Sequence, residues 1–171
     1  MKGTEIISGD LLDFPNGINA IAHSCNTLNI MGGGIAKQIK DRFPQAWEAD
    51  CEASTQSKNT LGEYSKGELE SIFLENKKGK IYNLYTQSNI AKGIYHWSDR
   101  QVNYNAFWQA MKNMQEDLLF VQHETGKSQV LGLPHGISCG LAGGSWKIIK
   151  AMIEDIFLDS LIKTYIVKYV K

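Results

Sequence analysis

The sequence has little that would tie it to a charged polymer, a membrane or a disulfide framework. Its 18 basic and 18 acidic residues cancel, so no net positive field draws in a nucleic acid backbone, and a small or modified ligand is favoured. No apolar run approaches the ~20 residues of a membrane helix, and Met1-Lys2 runs into Gly3, Thr4 and Glu5 rather than a signal-peptide core. The sequence therefore predicts a cytoplasmic chain with no membrane partner. Cysteine is scarce: Cys25, Cys51 and Cys139 are odd in number and widely spaced, which fits neither disulfides nor a zinc site. His123 and His135 stand too far apart for two ligands on one helical face. No metal and no cofactor are expected.

What is present fits one domain spanning residues 1–171. A chain of this size typically buries about two-thirds of its unfolded surface, and 43% hydrophobic with 21% charged residues is ordinary globular composition. No low-complexity linker divides it. Strand-like runs at Glu5 to Ser8, Ala20 to His23, Ser71 to Leu74, Lys80 to Thr86, Gln129 to Leu133 and Thr164 to Val170 are bounded by turn residues or helical pattern. Helical patterns occupy Ile35 to Arg42, Gln45 to Ser54, Val102 to Phe120 and Trp146 to Leu158, with Pro44 separating the first two. This alternation predicts an α/β class with a mixed sheet. Tyr104, Phe107, Trp108, Met111, Met114 and Leu118 recur at helical spacing, as do Ile149, Met152, Ile153 and Ile156; both stripes read as core faces.

Two segments are not ordinary connections. Ser24-Cys25-Asn26 leads to Gly32-Gly33-Gly34, and Pro134-His135-Gly136-Ile137-Ser138-Cys139-Gly140-Leu141-Ala142-Gly143-Gly144 leads to the last helix. Each follows a strand and enters a helix. Glycine lets main-chain N–H groups approach a ligand, and a helix N-terminus adds unpaired donors, so such loops suit a phosphate, and two suit a diphosphate. Either loop alone is as readily a tight turn. Neither has GxGxxG spacing, and Gly126-Lys127-Ser128 lacks the Walker glycine, Val121 standing in its place. Without lysine or carboxylate in either loop, main-chain donors would hold the anion without metal.

Gly9-Asp10-Leu11-Leu12, Ala22-His23-Ser24-Cys25-Asn26, Met31-Gly32-Gly33-Gly34-Ile35-Ala36 and the Pro134 to Trp146 loop together resemble the macrodomain family, over nearly the whole chain. The His-Ser-Cys-Asn string, the triple glycine and Phe43-Pro44-Gln45-Ala46 are most similar to the small branch containing ADP-ribose 1''-phosphate phosphatases. The resemblance implies a three-layer α/β/α fold with a central mixed sheet. Its implied ligand is ADP-ribose or ADP-ribose 1''-phosphate, and its implied reaction is hydrolysis of the latter, with a non-catalytic reader or an ester hydrolase as alternatives.

By the same resemblance Asp10 accepts from the adenine amine, the main chain of Leu11 after Gly9 reads the adjacent ring nitrogen, and Asn26 meets the distal ribose. Gly32, Gly33, Gly34, Ile35 and Ala36, with Gly136, Ile137, Ser138, Cys139, Gly140 and Leu141, enclose the diphosphate and distal ribose; Ser24, Cys25, Met31, Gln87 and Pro134 complete the expected site. A related branch of terminal ADP-ribose glycohydrolases uses a lysine and an aspartate where this chain has Gln87 and Ala142, so a covalent lysine route is not expected. His23 is the candidate general acid/base, since imidazole titrates near neutrality; its other reading is a packed strand histidine. Cys139 reads as a small packed thiol rather than a nucleophile. Ser88 to Arg100, with Tyr95, His96 and Trp97, is long for a connection and is either a cleft cover or a surface excursion.

Overall fold

The computed structural model describes residues 3–72, 77–90 and 100–170. Six strands form one sheet in the order β1-β6-β5-β2-β4-β3. Their ranges are β1 Thr4–Ser8, β2 Ala20–Asn26, β3 Tyr64–Ile72, β4 Lys77–Gln87, β5 Val130–Pro134 and β6 Lys163–Lys168. All neighbouring pairs are parallel except β3 with β4, which makes the sheet mixed, as expected. Parallel pairing brings the C-terminal ends of β1, β6, β5, β2 and β4 to one edge, where open α/β sheets place their ligands.

Four helices cover the two faces: α1 Gly34–Arg42, α2 Pro44–Thr55, α3 Tyr104–Thr125 and α4 Trp146–Phe157. Period-two alternation along β2 shows the sidedness. Ala20 and Ala22 pack in a core with Phe107, Met111, Met114 and Leu118 of α3 and Ile149, Ile153 and Ile156 of α4. Ile21 faces the opposite layer, with Ile39 of α1 and Ala46 of α2. The result is the expected three-layer α/β/α arrangement. The two core stripes fall where periodicity put them, except that Trp108 lies off the buried face at 36% exposure.

One strand differs from expectation. Ser71 to Leu74 begins at the end of the observed β3, residues 73–76 lie outside the described residues, and the strand runs instead from Tyr64 to Ile72. Its inward positions include Ser65, Gly67 and Leu69, so hydrophobic alternation is faint. Gly67 is required by packing: a Cβ there would lie 2.7 Å from backbone atoms of Gln45 and Ala46, a collision that α2 cannot relax without shifting.

Candidate functional site

The β2 strand delivers the first loop. At its end the pairing with β4 slips between Cys25 and Asn26, so Asn26 meets Gln87; such a bulge re-aims side chains at a site. Asn26 then ties the loop to itself: its Oδ1 accepts from the N–H of Leu28 at 3.0 Å and of Ile30 at 3.2 Å, and its Nδ2 donates to the Ile30 carbonyl at 2.8 Å. The chain reaches α1 through Gly33 in extended backbone and Gly34 at φ +57°, a left-handed value suited to glycine. No side chain caps α1. Among the described residues the N–H groups of its first turn, Gly34, Ile35 and Ala36, find no acceptor, and the positive end of the helix lies behind them.

The second loop leaves β5 at Pro134 and is held by its own turns. Cys139 N–H donates to the Gly136 carbonyl at 2.9 Å, Gly143 N–H to Gly140 at 3.0 Å, and Gly144 N–H to Ser138 at 2.8 Å. Among the described residues the N–H groups of Ser138, Gly140, Leu141 and Ala142 find no acceptor. The two loops meet across a gap. The hydroxyls of Ser24 and Ser138 share a hydrogen bond, and the Leu141 side chain leans over Gly33, 3.3 Å from where a Cβ would stand.

Between the loops lies a cavity of about 600 Å³, lined by Ser24, Cys25, Asn26, Ile30, Gly32, Gly33, Gly34, Ile35, Ala36, Gln87, Ile90, Pro134, His135, Gly136, Ile137, Ser138, Gly140, Leu141 and Ala142. Its volume falls within the ~300–1,000 Å³ usual for small-molecule sites. No Asp, Glu, Lys or Arg is among these lining residues, so uncommitted main-chain N–H groups dominate its electrostatics. Gln87 and Ala142 both belong to the wall.

Several expected site residues lie elsewhere. Gly9, Asp10, Leu11, Met31 and Cys139 are not part of the wall. Asp10 sits at the end of β1, on the same sheet edge; its Oδ1 accepts from the Leu12 N–H at 2.8 Å and its Oδ2 lies 3.6 Å from Arg42 Nη1. Leu11 and Met31 are buried in the core layers. The Cys139 thiol donates to the Ile137 carbonyl at 3.2 Å, and burial pushes its pKa up to about 11, which keeps it protonated and unreactive. Cys25, although at the wall, is likewise pushed upward by burial and then by the nearby Asp50.

The placement of His23 corrects the expectation of a general acid/base in the cleft. It is 0% exposed and faces the α1/α2 layer. Its Nε2 lies 2.7 Å from Asn83 Oδ1, while Asn83 Nδ2 donates to the Ala46 carbonyl at 2.8 Å and to Ser65 Oγ at 2.9 Å. Asn83 has thus committed its donors, so its Oδ1 accepts and His23 carries its proton on Nε2. Burial lowers the His23 pKa from 6.5 to about 4, only partly offset by that bond. Ser65 and Asp50 continue the network through the Tyr85 hydroxyl at 2.8 and 2.7 Å. His23 is a neutral, satisfied core histidine.

Sequence reasoning left Ile30, Ile90, His135 and Ala142 out of the binding set, and the structure brings all four to the wall. Of these, His135 had a signal: it is a titratable residue directly after a strand, in the loop already singled out. Its ring packs 4.7 Å from that of Trp146. Tyr95, His96 and Trp97 lie outside the described residues. Among the described residues no helix is long and apolar enough to cross a membrane, and no three His, Cys, Asp or Glu side chains gather as a metal site.

No family model matches the sequence. A 17.5 kDa protein encoded in the tk-vs intergenic region of phage T4, itself uncharacterized, is 30% identical over 150 residues, 86% of each chain. An ADP-ribose 1''-phosphate phosphatase of Aspergillus oryzae is 49% identical over 41 residues, 24% of this chain and 20% of that protein. The macrodomain of Mycobacterium tuberculosis DarG superposes over the full length of both chains with a TM-score of 0.71 at 20% identity. Thermosipho africanus DarTG, solved with ADP-ribose, superposes at TM-score 0.76 and 19% identity, over 98% of this chain and 42% of that one. The chain belongs to one family with the phage T4 protein, and its sheet order and superposition give it the macrodomain fold.

Proposed function

We propose that the chain binds ADP-ribose in the cavity between the two loops and hydrolyses ADP-ribose 1''-phosphate. One observation carries the binding: the open N–H groups of the α1 N-terminus and of the second loop converge on a single cavity that has no charged side chain among its described lining residues. Such a site neutralises a diphosphate with fixed dipoles and needs no metal. The adenosine end would extend along the sheet edge toward Asp10, which is partly exposed and has carboxylate lone pairs to spare beyond the Leu12 bond. The solved neighbour with ADP-ribose supports the ligand, and the local match to the Aspergillus phosphatase supports the 1''-phosphate as substrate.

Hydrolysis transfers the phosphoryl group to water and returns a proton to the departing ribose oxygen, a role His23 cannot fill from its buried position. That observation favours a second reading, a reader that binds ADP-ribose without turnover. Calorimetric titration with ADP-ribose in the presence of a chelator tests binding, and a phosphate-release assay with excess ADP-ribose 1''-phosphate tests turnover. Micromolar binding with release supports the enzyme; binding alone supports the reader. Parallel assay of ester-linked ADP-ribose checks the ester hydrolase alternative.

A further inference from the structure

We propose that Ser24 is a positioning residue: its hydroxyl clasps Ser138, holds the second loop in its ligand-ready shape, and leaves one O–H of the pair directed to an oxygen of the bound phosphorylated ligand. The proposal rests on the ADP-ribose reading for its ligand, and on geometry for the clasp.

Ser24 occupies the face of β2 shared with Ala20 and Ala22, but lies beyond that core, where the strand passes beneath the second loop. Its hydroxyl is part of the cavity wall and bonds the hydroxyl of Ser138, a residue 114 positions later. Ser138 is held at φ +62°, is 8% exposed, and accepts the Gly144 N–H at its carbonyl. A non-glycine residue in that left-handed region persists where surrounding contacts fix it. The serine pair is the side-chain hydrogen bond between the two loops among the described residues. Two hydroxyls bonded to each other spend one hydrogen between them and keep the second, and neither oxygen has another partner among the described residues. With no cationic side chain among the described lining residues, that spare donor supplements the main-chain array, and the clasp keeps the array aimed.

The first test needs no ligand. Ser24→Ala should speed amide exchange of the second loop, residues 136–144, at least fivefold in the free chain while leaving the strand amides of β2 and β4 unchanged. The second test titrates ADP-ribose: Ser24→Ala should weaken binding about tenfold at an unaltered melting temperature, and Ser24→Thr, which keeps the hydroxyl, should return to within about twofold of wild type. Ser24→Ala combined with Ser138→Ala should cost no more than the larger single change, because either variant already opens the clasp. Unchanged loop exchange in Ser24→Ala overturns the clasp. Additive losses, or unchanged affinity in a chain that binds, overturn its role toward ligand. A wild-type chain that takes up no ADP-ribose defeats the ligand reading and the ligand half of this proposal together, while loop exchange still decides the clasp.

Discussion

Two consecutive residues of β2, His23 and Ser24, divide between two environments on opposite faces of the sheet. Ser24 points toward the second loop and the cavity, where the N–H groups of Ser138, Gly140, Leu141 and Ala142 find no acceptor among the described residues and the described lining carries no charged side chain. His23, one residue earlier, points into the α1/α2 layer, where Asn83, Ser65, Tyr85 and Asp50 satisfy one another in a closed network. The same types of polar atom thus serve opposite ends. A network with its partners committed specifies the packing of a layer, whereas uncommitted donors at a concave wall await a ligand. Hydrogen-bond capacity left over, more than residue type, separates site from scaffold here.

The sharpest way to separate the two regions is to fill the cavity alone. Gly33→Glu should abolish measurable ADP-ribose binding in calorimetry while circular dichroism and melting temperature stay near wild type. Gly33 has extended backbone open to any residue, its Cβ would press only the tip of Leu141, and a carboxylate would enter where the anion approaches. Unchanged affinity in the folded variant would place the ligand elsewhere.

The converse change strikes the buried side. Asn83→Leu deletes the acceptor for His23 and the donors for Ser65 and Ala46, and should cost about 3–5 kcal/mol in urea unfolding, since each abandoned buried group costs about 1–3 kcal/mol. A cost below about 1 kcal/mol would show that the layer does not depend on this network.

Acid should find the same region. The His23 pKa is lowered from 6.5 to about 4 by burial, so between those values the unfolded chain takes up a proton that the folded chain refuses. Stability from this group is complete above pH 6.5 and falls as pH drops toward 4, by about 3 kcal/mol over the window. His23→Gln keeps a donor for Asn83 but does not titrate. The wild type should therefore lose that much more unfolding free energy than the variant between pH 7 and 4.5, and parallel curves would contradict a buried neutral imidazole.

Asp10→Ala should have a smaller, mixed effect. It should weaken ADP-ribose binding by about 1–3 kcal/mol through loss of adenine recognition, and cost about 1 kcal/mol of stability through loss of the Leu12 cap. Smallest of all, a chelator should leave ADP-ribose affinity unchanged; a loss would show that the donors of the wall do not suffice.

The helices and five of the six strands could be read from the chain because their periodicity survives burial: α3 and α4 carry apolar stripes, and β1, β2, β4, β5 and β6 are apolar runs between turn residues. β3 escaped because an edge strand with Ser65 and Gly67 at inward positions lacks the alternation that marks a half-buried strand. The two loops of the site were legible because glycine-rich strand-to-helix passages are uncommon and came as a pair. The side on which each β2 residue falls was not. The strand is Ala-Ile-Ala-His-Ser-Cys-Asn and is covered on both faces, so polarity carries no record of which parity meets the cleft. His23 and Ser24 exchanged their expected importance for that reason.

The sequence by itself determined the α/β class, the two donor-rich loops and the absence of lysine and carboxylate within them, because composition and local pattern are properties of the chain. Tertiary structure alone decided the strand order β1-β6-β5-β2-β4-β3, the meeting of Ser24 with Ser138, and the burial of His23. Each of these depends on segments far apart in sequence being brought together, and on the pleat turning neighbouring residues to opposite faces.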